Sequence, residues 1–164
     1  MAKKKDKNKT PGELLVCSNP KAQRNYDIEE RLECGLVLTG SEVKAMRAKR
    51  CDLDGAYGTI ENMEMFLCGM HVGPYEQAGR FGHEPRRKRK LLAHHHEIER
   101  LFGRISHRGY ALVPVRVYFK DGRAKVEMAL GKGRRQADNR ESIRRELDLK
   151  EAREAMLKAQ RKGR

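Results

Sequence analysis

The residues of this chain best suited to covalent or metal chemistry are four cysteines, Cys17, Cys34, Cys51 and Cys68, and the run His94, His95 and His96 followed by Glu97. The cysteines recur every 17 residues, which invites a repeat or a metal cluster. The segments that follow them share no pattern, however, and no Cys-x-x-Cys pair supplies the close spacing of a structural zinc site. Free thiols in a reducing compartment are therefore expected. Adjacent histidines on a helix point about 100° apart, so the run is a poor tetrahedral chelate, whereas His-Glu-x-x-His would set two ligands on one face. There is no G-x-S-x-G elbow, Walker loop or paired catalytic carboxylate. The expectation is no catalytic residue, no metal and no cofactor, with a metal-dependent RNA-processing enzyme kept as an alternative.

Ionic chemistry is better provided for. Five consecutive cations, Arg86, Arg87, Lys88, Arg89 and Lys90, precede Leu91 and Leu92, joining a phosphate-binding run to apolar contacts. Read without a partner, the run is a solvated basic loop and the leucines are core. Lys132, Gly133 and Arg134 belong to Gly-Lys-Gly-Arg-Arg, whose glycines let the backbone approach phosphates closely. Asn19 and Lys21 in Asn-Pro-Lys-Ala offer an amide and an ammonium to a base, a sugar or a phosphate, or else simply form a turn. Glu42 is acidic in a basic protein. A carboxylate facing RNA is useful when it accepts from a base amino group or a 2′-hydroxyl; the other reading is a first-turn Glu favoured by the helix dipole.

These groups sit in a chain of 164 residues with 37 Lys and Arg against 23 Asp and Glu, a net charge of +14. Self-repulsion on that scale calls for a polyanionic partner, and nucleic acid is the obvious one. Residues 1–12 carry net +4 and residues 132–164 net +6, which leaves +4 for everything between. Both ends lack aromatics, so they are expected to be mobile without a partner. The division expected is a basic N-terminal segment 1–12, an RNA-binding domain 13–131 and a basic tail 132–164. No stretch approaches the roughly 20 apolar residues of a membrane span, and the N-terminus lacks the apolar core of a secretory signal, so a cytoplasmic protein without membrane contact is expected.

The elements that must position the charges read as strands: 14–18, 26–32, 36–40, 56–61, 65–72, 110–119 and 124–130, rich in Leu, Val, Ile, Tyr and Phe and separated by Gly, Asp and Asn. In 110–119 the odd-numbered residues Ala111, Val113, Val115, Val117 and Phe119 make one apolar face. Asp121-Gly122 predicts a type I′ hairpin turn before 124–130. Ser41 is placed to cap a short helix through Ala48, and 94–105 puts Ile98, Leu101, Phe102 and Ile105 at helical spacing. Short antiparallel strands with small helices favour a mainly β fold, a closed or nearly closed OB-like barrel with small flanking helices; a split sheet covered by the helices is the alternative. In the tail, 138–162 contains no Pro or Gly and would span roughly 37 Å as a helix, with Asp138 at its start. Its apolar positions Leu149, Ala152, Met156 and Ala159 form a small stripe, so it reads as an arm that becomes helical on RNA, the alternative being a helix packed on the core.

Seven segments, in order, resemble one known family: NPKA (19–22), YDIEERLECGLVLTGSEVKAMR (26–47), HVGPY (71–75), HEPRRKRKLL (83–92), GYALVPVRVYFKDG (109–122), KVEMALGKGRR (125–135) and ADNRE (137–141). They resemble the SmpB family, the protein partners of transfer-messenger RNA in bacterial ribosome rescue. The resemblance implies an OB-like barrel bound to the tRNA-like domain of that RNA, as a monomer, with the pair standing in for a tRNA at the A site of a stalled ribosome. It implies RNA contacts at Asn19, Lys21, Ala22, Glu42, Arg86, Arg87, Lys88, Arg89, Lys90, Leu91, Lys125, Lys132, Gly133 and Arg134. It also implies that the tail, through Asp138, Arg140, Glu141, Arg144, Arg145, Lys150 and Arg153, occupies the vacant decoding centre of the small subunit and the mRNA channel. Pro20, Cys34, Gly131, Ala137 and Asn139 depart from residues usual in the family, and no stacking role is assigned to Ala137. A ribosomal or other structural RNA-binding barrel is the second alternative, equally compatible with composition and periodicity.

Overall fold

A computed structural model describes residues 12–134, together with 147 and 149–151. In chain order the elements are β1 (Glu13–Ser18), α1 (Pro20–Asn25), β2 (Tyr26–Leu36), α2 (Gly40–Arg47), β3 (Cys51–Asp52), β4 (Tyr57–Glu61), β5 (Glu64–Cys68), β6 (His71–Val72), a 3₁₀ segment Glu76–Phe81, β7 (Arg89–Leu92), α3 (His95–Ile105), β8 (Tyr110–Lys120) and β9 (Arg123–Gly133).

The β8–β9 hairpin forms as its turn residues demand. Asp121 and Gly122 have φ of 50° and 75°, the two left-handed positions of a type I′ turn. This sets Val117 opposite Val126 and Phe119 opposite Ala124. The alternation does not run unbroken, however, because the register slips between Pro114 and Arg116. The bulge reverses which side chains point in. Leu112, Val117 and Phe119 enter the main core, while Val113 and Val115 lie on the opposite face with Ala129, covered by Ala22 of α1. The single apolar face expected from the odd residues of 110–119 is thus split between two clusters.

All strand pairs are antiparallel, and the pairing runs β8–β4–β5–β7–β2–β9 and back to β8, with β1 added along the C-terminal half of β8. The result is the expected mainly β, nearly closed barrel with small helices. Its narrowest seam is between β4 and β8, where Gly58 stands opposite Leu112. A Cβ at Gly58 would lie 2.6 Å from Leu112 Cδ2 and 2.9 Å from Met128 Cε, so any side chain there would have to displace both of these core side chains. The interior is aliphatic and methionine-rich, with Met46, Met65, Met70 and Met128 fully buried beside Leu67 and Leu101. Met side chains, unbranched and polarisable, fill the irregular space that a core with few aromatics leaves.

Several elements differ from expectation. Residues 36–40 do not form a strand of their own: β2 runs on through Leu36, and Gly40 already begins α2. The cap of α2 is Thr39 rather than Ser41, its backbone N–H donating to Glu42 at 2.8 Å. The stretch 65–72 divides into β5 and β6, the latter pairing with β3 in a small separate sheet. On α3, Ile98 and Leu101 are buried but Phe102 is about half exposed. The basic N-terminal segment and most of the tail helix lie outside the described residues; 147 and 149–151 are helical. Among the described residues no helix is long and apolar enough to cross a membrane.

Candidate nucleic-acid interface

The basic run divides by direction, because its second half is strand. Period-two alternation in β7 turns Arg89 and Leu91 inward, 0% and 2% exposed, and sends Leu92 outward, 56% exposed. Arg89 donates to Glu42 Oε1 at 2.9 Å and to the carbonyls of Met70, Arg87 and Pro85 at 2.8, 3.0 and 3.1 Å. Arg87 lies over the same carboxylate, with Nε 2.8 Å from Oε1 and Nη2 2.6 Å from Oε2. Burial alone would push the Glu42 pKa up. The Arg87 bonds, the Thr39 N–H and the charge of Arg89 outweigh it and hold the carboxyl at about 2. Glu42 and Arg89, expected to face RNA, are therefore internal: they bond each other, Arg87 and the backbone at Thr39, Met70, Pro85 and Arg87. Leu91, opposite Met65 and Leu36, is core.

The outward residues of the neighbouring strands form a continuous wall. Gly35 of β2 stands opposite Leu92 of β7 on one side and Lys125 of β9 on the other. Lys90 stands opposite Phe66 of β5, and Lys88 Nζ sits 4.5 Å from the centre of that ring. Across β5, β7, β2 and β9, at about 4.8 Å per strand, this wall is roughly 14 Å wide. It presents ammonium groups, an apolar Leu92 and an aromatic ring, the mixture that binds phosphate and base together. Gly35 leaves the middle open; its missing Cβ would sit 3.2 Å from Leu92 Cβ.

Two residues before Gly35 on the same face, Glu33 faces Lys120 at 3.5 Å and Lys125 at 3.6 Å and accepts from the Tyr118 hydroxyl. The Tyr118 bond, the largest effect, holds Glu33 below the usual carboxylate range against burial, the next largest, with Lys120 and then Lys125 adding to the lowering. Tyr118 is shifted the other way, by burial and by Glu33. Lys88 and Lys90 are paired to Glu61 and Glu64, all four partly exposed. Such pairs are weak in water and can be exchanged for phosphate.

The remaining expected residues lie elsewhere. Asn19 caps α1: its Oδ1 accepts from Ala22 N at 3.2 Å and its Nδ2 donates to the Pro114 carbonyl at 3.2 Å, so the amide fastens α1 to β8. Ala22 is buried, 2% exposed, and packs under the helix rather than presenting itself to RNA. Lys21 is exposed and pairs with Asp54 at 2.8 Å. Lys21 above all lowers the Asp54 pKa, with the Gly55 N–H and last Arg86 adding to it. Lys132 and Gly133 close β9 in the strand, not in a loop; Arg134 follows, donating to Asp27 at 2.6 Å. They stand seven to nine residues from Lys125, roughly 25 Å along the strand, so the structure does not gather all the cations at one point. Lys150 is helical and exposed, while Asp138, Arg140, Glu141, Arg144, Arg145 and Arg153 lie outside the described residues.

Sequence reasoning named Leu91 and Leu92 together as apolar contacts or core and did not single out Glu33 or Lys120; telling them apart needed the face on which each strand buries its alternate residues.

A model of the SmpB protein family matches residues 16–158. The chain is 53% identical over 148 residues to the SsrA-binding protein of Desulforudis audaxviator, covering 90% of this chain and 97% of that protein. It is 45% identical over 145 residues to the SsrA-binding protein of Geobacter metallireducens, covering 88% and 95%. A solved structure described as tmRNA-SmpB on a journey to the center of the bacterial ribosome superposes with a TM-score of 0.64 at 39% identity, covering 79% of this chain and 94% of that one.

Proposed function

The chain belongs to the SmpB family, and from that premise we propose that it binds transfer-messenger RNA through the tRNA-like domain and brings it to the A site of stalled ribosomes in the bacterial cytoplasm. The observation that carries the binding step is the outward wall of β5, β7, β2 and β9, where Lys88, Lys90, Leu92, Lys125 and Glu33 share one face across in-register strands. Phosphates displace Glu61, Glu64 and Glu33 from the lysines, and the freed Glu33 carboxylate accepts from a 2′-hydroxyl or base amino group. Lys21, Arg86 and the partly exposed Arg87 extend the positive surface at one end, and Lys132, Gly133 and Arg134 at the other. Glu42, Arg89, Leu91, Ala22 and Asn19 act by shaping the wall and not by touching RNA.

The tail beyond Arg134, residues 135–164 with net +4, occupies the vacant decoding centre and mRNA channel, where neutralising ribosomal phosphate offsets the entropy of ordering a helix. The protein serves as a monomeric binding and placement device and uses no catalysis of its own. Deleting 135–164, which leaves β9 and Arg134 in place, tests the division of labour. The truncated chain is expected to keep thermal stability and affinity for the tRNA-like domain while losing peptide tagging on stalled ribosomes. Normal tagging by the truncation, or loss of all three together, contradicts the assignment.

A further inference from the structure

The regular spacing of the cysteines hides one close encounter. Cys17 of β1 and Cys51 at the start of β3, 34 residues apart, lie with their sulfurs 2.9 Å from each other. Both side chains are partly exposed, whereas Cys34 is fully buried. Closing to a disulfide needs an approach of only about 0.9 Å, to roughly 2.05 Å. The contact with Cys51 first, then burial, and last the nearby Asp52 push the Cys17 thiol up.

We propose that Cys17 and Cys51 form a two-electron redox site for small-molecule disulfides. One of the two, as thiolate, attacks one sulfur of the disulfide, forming a mixed disulfide and expelling one thiolate. The other then gives up its proton and attacks the protein sulfur of that mixed disulfide, expelling the second. In sum two protein thiols are oxidised by two electrons and one small disulfide is reduced to two thiols. The product crosslinks β1 to β3, a few residues along the chain from the Lys21–Asp54 ion pair at 2.8 Å.

The probe is oxidised glutathione in excess over the full chain, followed by alkylation and peptide mapping by mass spectrometry. The wild-type protein is expected to form an intramolecular Cys17–Cys51 disulfide with Cys34 still free, and to melt roughly 5–10 °C higher than the reduced form. Cys17→Ser is expected to trap glutathione on Cys51, and Cys51→Ser to trap it on Cys17. Alanine replacements at the same positions repeat the comparison if a serine variant fails to fold. Cys17 and Cys51 remaining free in the wild-type protein under these conditions, or glutathione adducts persisting on them with no intramolecular disulfide, overturns the proposal. RNA is absent from the assay, so its outcome is independent of the RNA-binding assignment.

Discussion

Glu33 and Glu42 lie nine residues apart, each in contact with two cations, and the protein uses them in opposite ways. Glu42 is fully buried beneath two arginines whose planar forks fix the carboxylate from two directions. Glu33 is 38% exposed and faces two lysines at 3.5 and 3.6 Å, mobile point charges without a fixed geometry. The first arrangement costs desolvation on both sides and is held only because every partner is present. The second is nearly free to rearrange. Burial therefore separates an ion pair that builds the fold from one that can be handed to a ligand, although the two read alike as acidic residues in a basic chain.

The largest test of this contrast is Glu42→Ala, which leaves Arg89 buried without its counter-charge. Chemical denaturation is expected to show a loss of about 3–5 kcal/mol, and RNA binding should fall only as the folded fraction falls. A stable Glu42→Ala protein with selectively weakened RNA binding would return Glu42 to the interface. The pH dependence follows with its sign fixed. Because the folded pKa of Glu42 lies near 2, below its unfolded value of about 4.3, its stabilisation is complete above that unfolded value and is lost as the pH falls through about 2. Acid unfolding followed by circular dichroism should therefore show a component in that window that Glu42→Gln removes.

Smaller effects lie on the other side. Glu33→Ala is expected to change stability by less than about 1 kcal/mol and to weaken binding to the folded tRNA-like domain roughly 10-fold, about 1.4 kcal/mol, with little change for unstructured RNA. Equal loss on both RNAs would reduce Glu33 to a local charge. The smallest change is that of Lys125→Ala, expected to lower the slope of log affinity against log salt by about 1 in a filter-binding titration. An unaltered slope would remove Lys125 from the phosphate-contacting set.

How far these roles were legible in the sequence depended on whether they are local. Asp121-Gly122 announced its turn because positive φ at two successive positions is a demand of the backbone itself. The barrel followed from many short strands. The face of a strand was harder to assign: Leu91 and Leu92 are adjacent apolar residues, and only the pairing of Leu91 with Met65 and Leu36 decides which of them is core. Likewise the bulge after Pro114 inverts an alternation that looked continuous. The run Arg86–Lys90 showed its charge but not that Glu42, Glu61 and Glu64, 26 to 47 residues away, already engage four of its members.

The glycine at the β4–β8 seam has a consequence in time as well as in shape. Around most of the ring each strand is held to its neighbour by a ladder, while β4 meets β8 only where Gly58 faces Leu112. A ring breaks at its thinnest joint, so transient opening of the barrel begins there and leaves the long β2–β9 and β8–β9 ladders closed. Deuterium should enter the amides flanking this joint through fast local openings, and reach those of β9 only through global unfolding. The long β2–β9 and β8–β9 ladders thus stay closed while the barrel breathes at the β4 side.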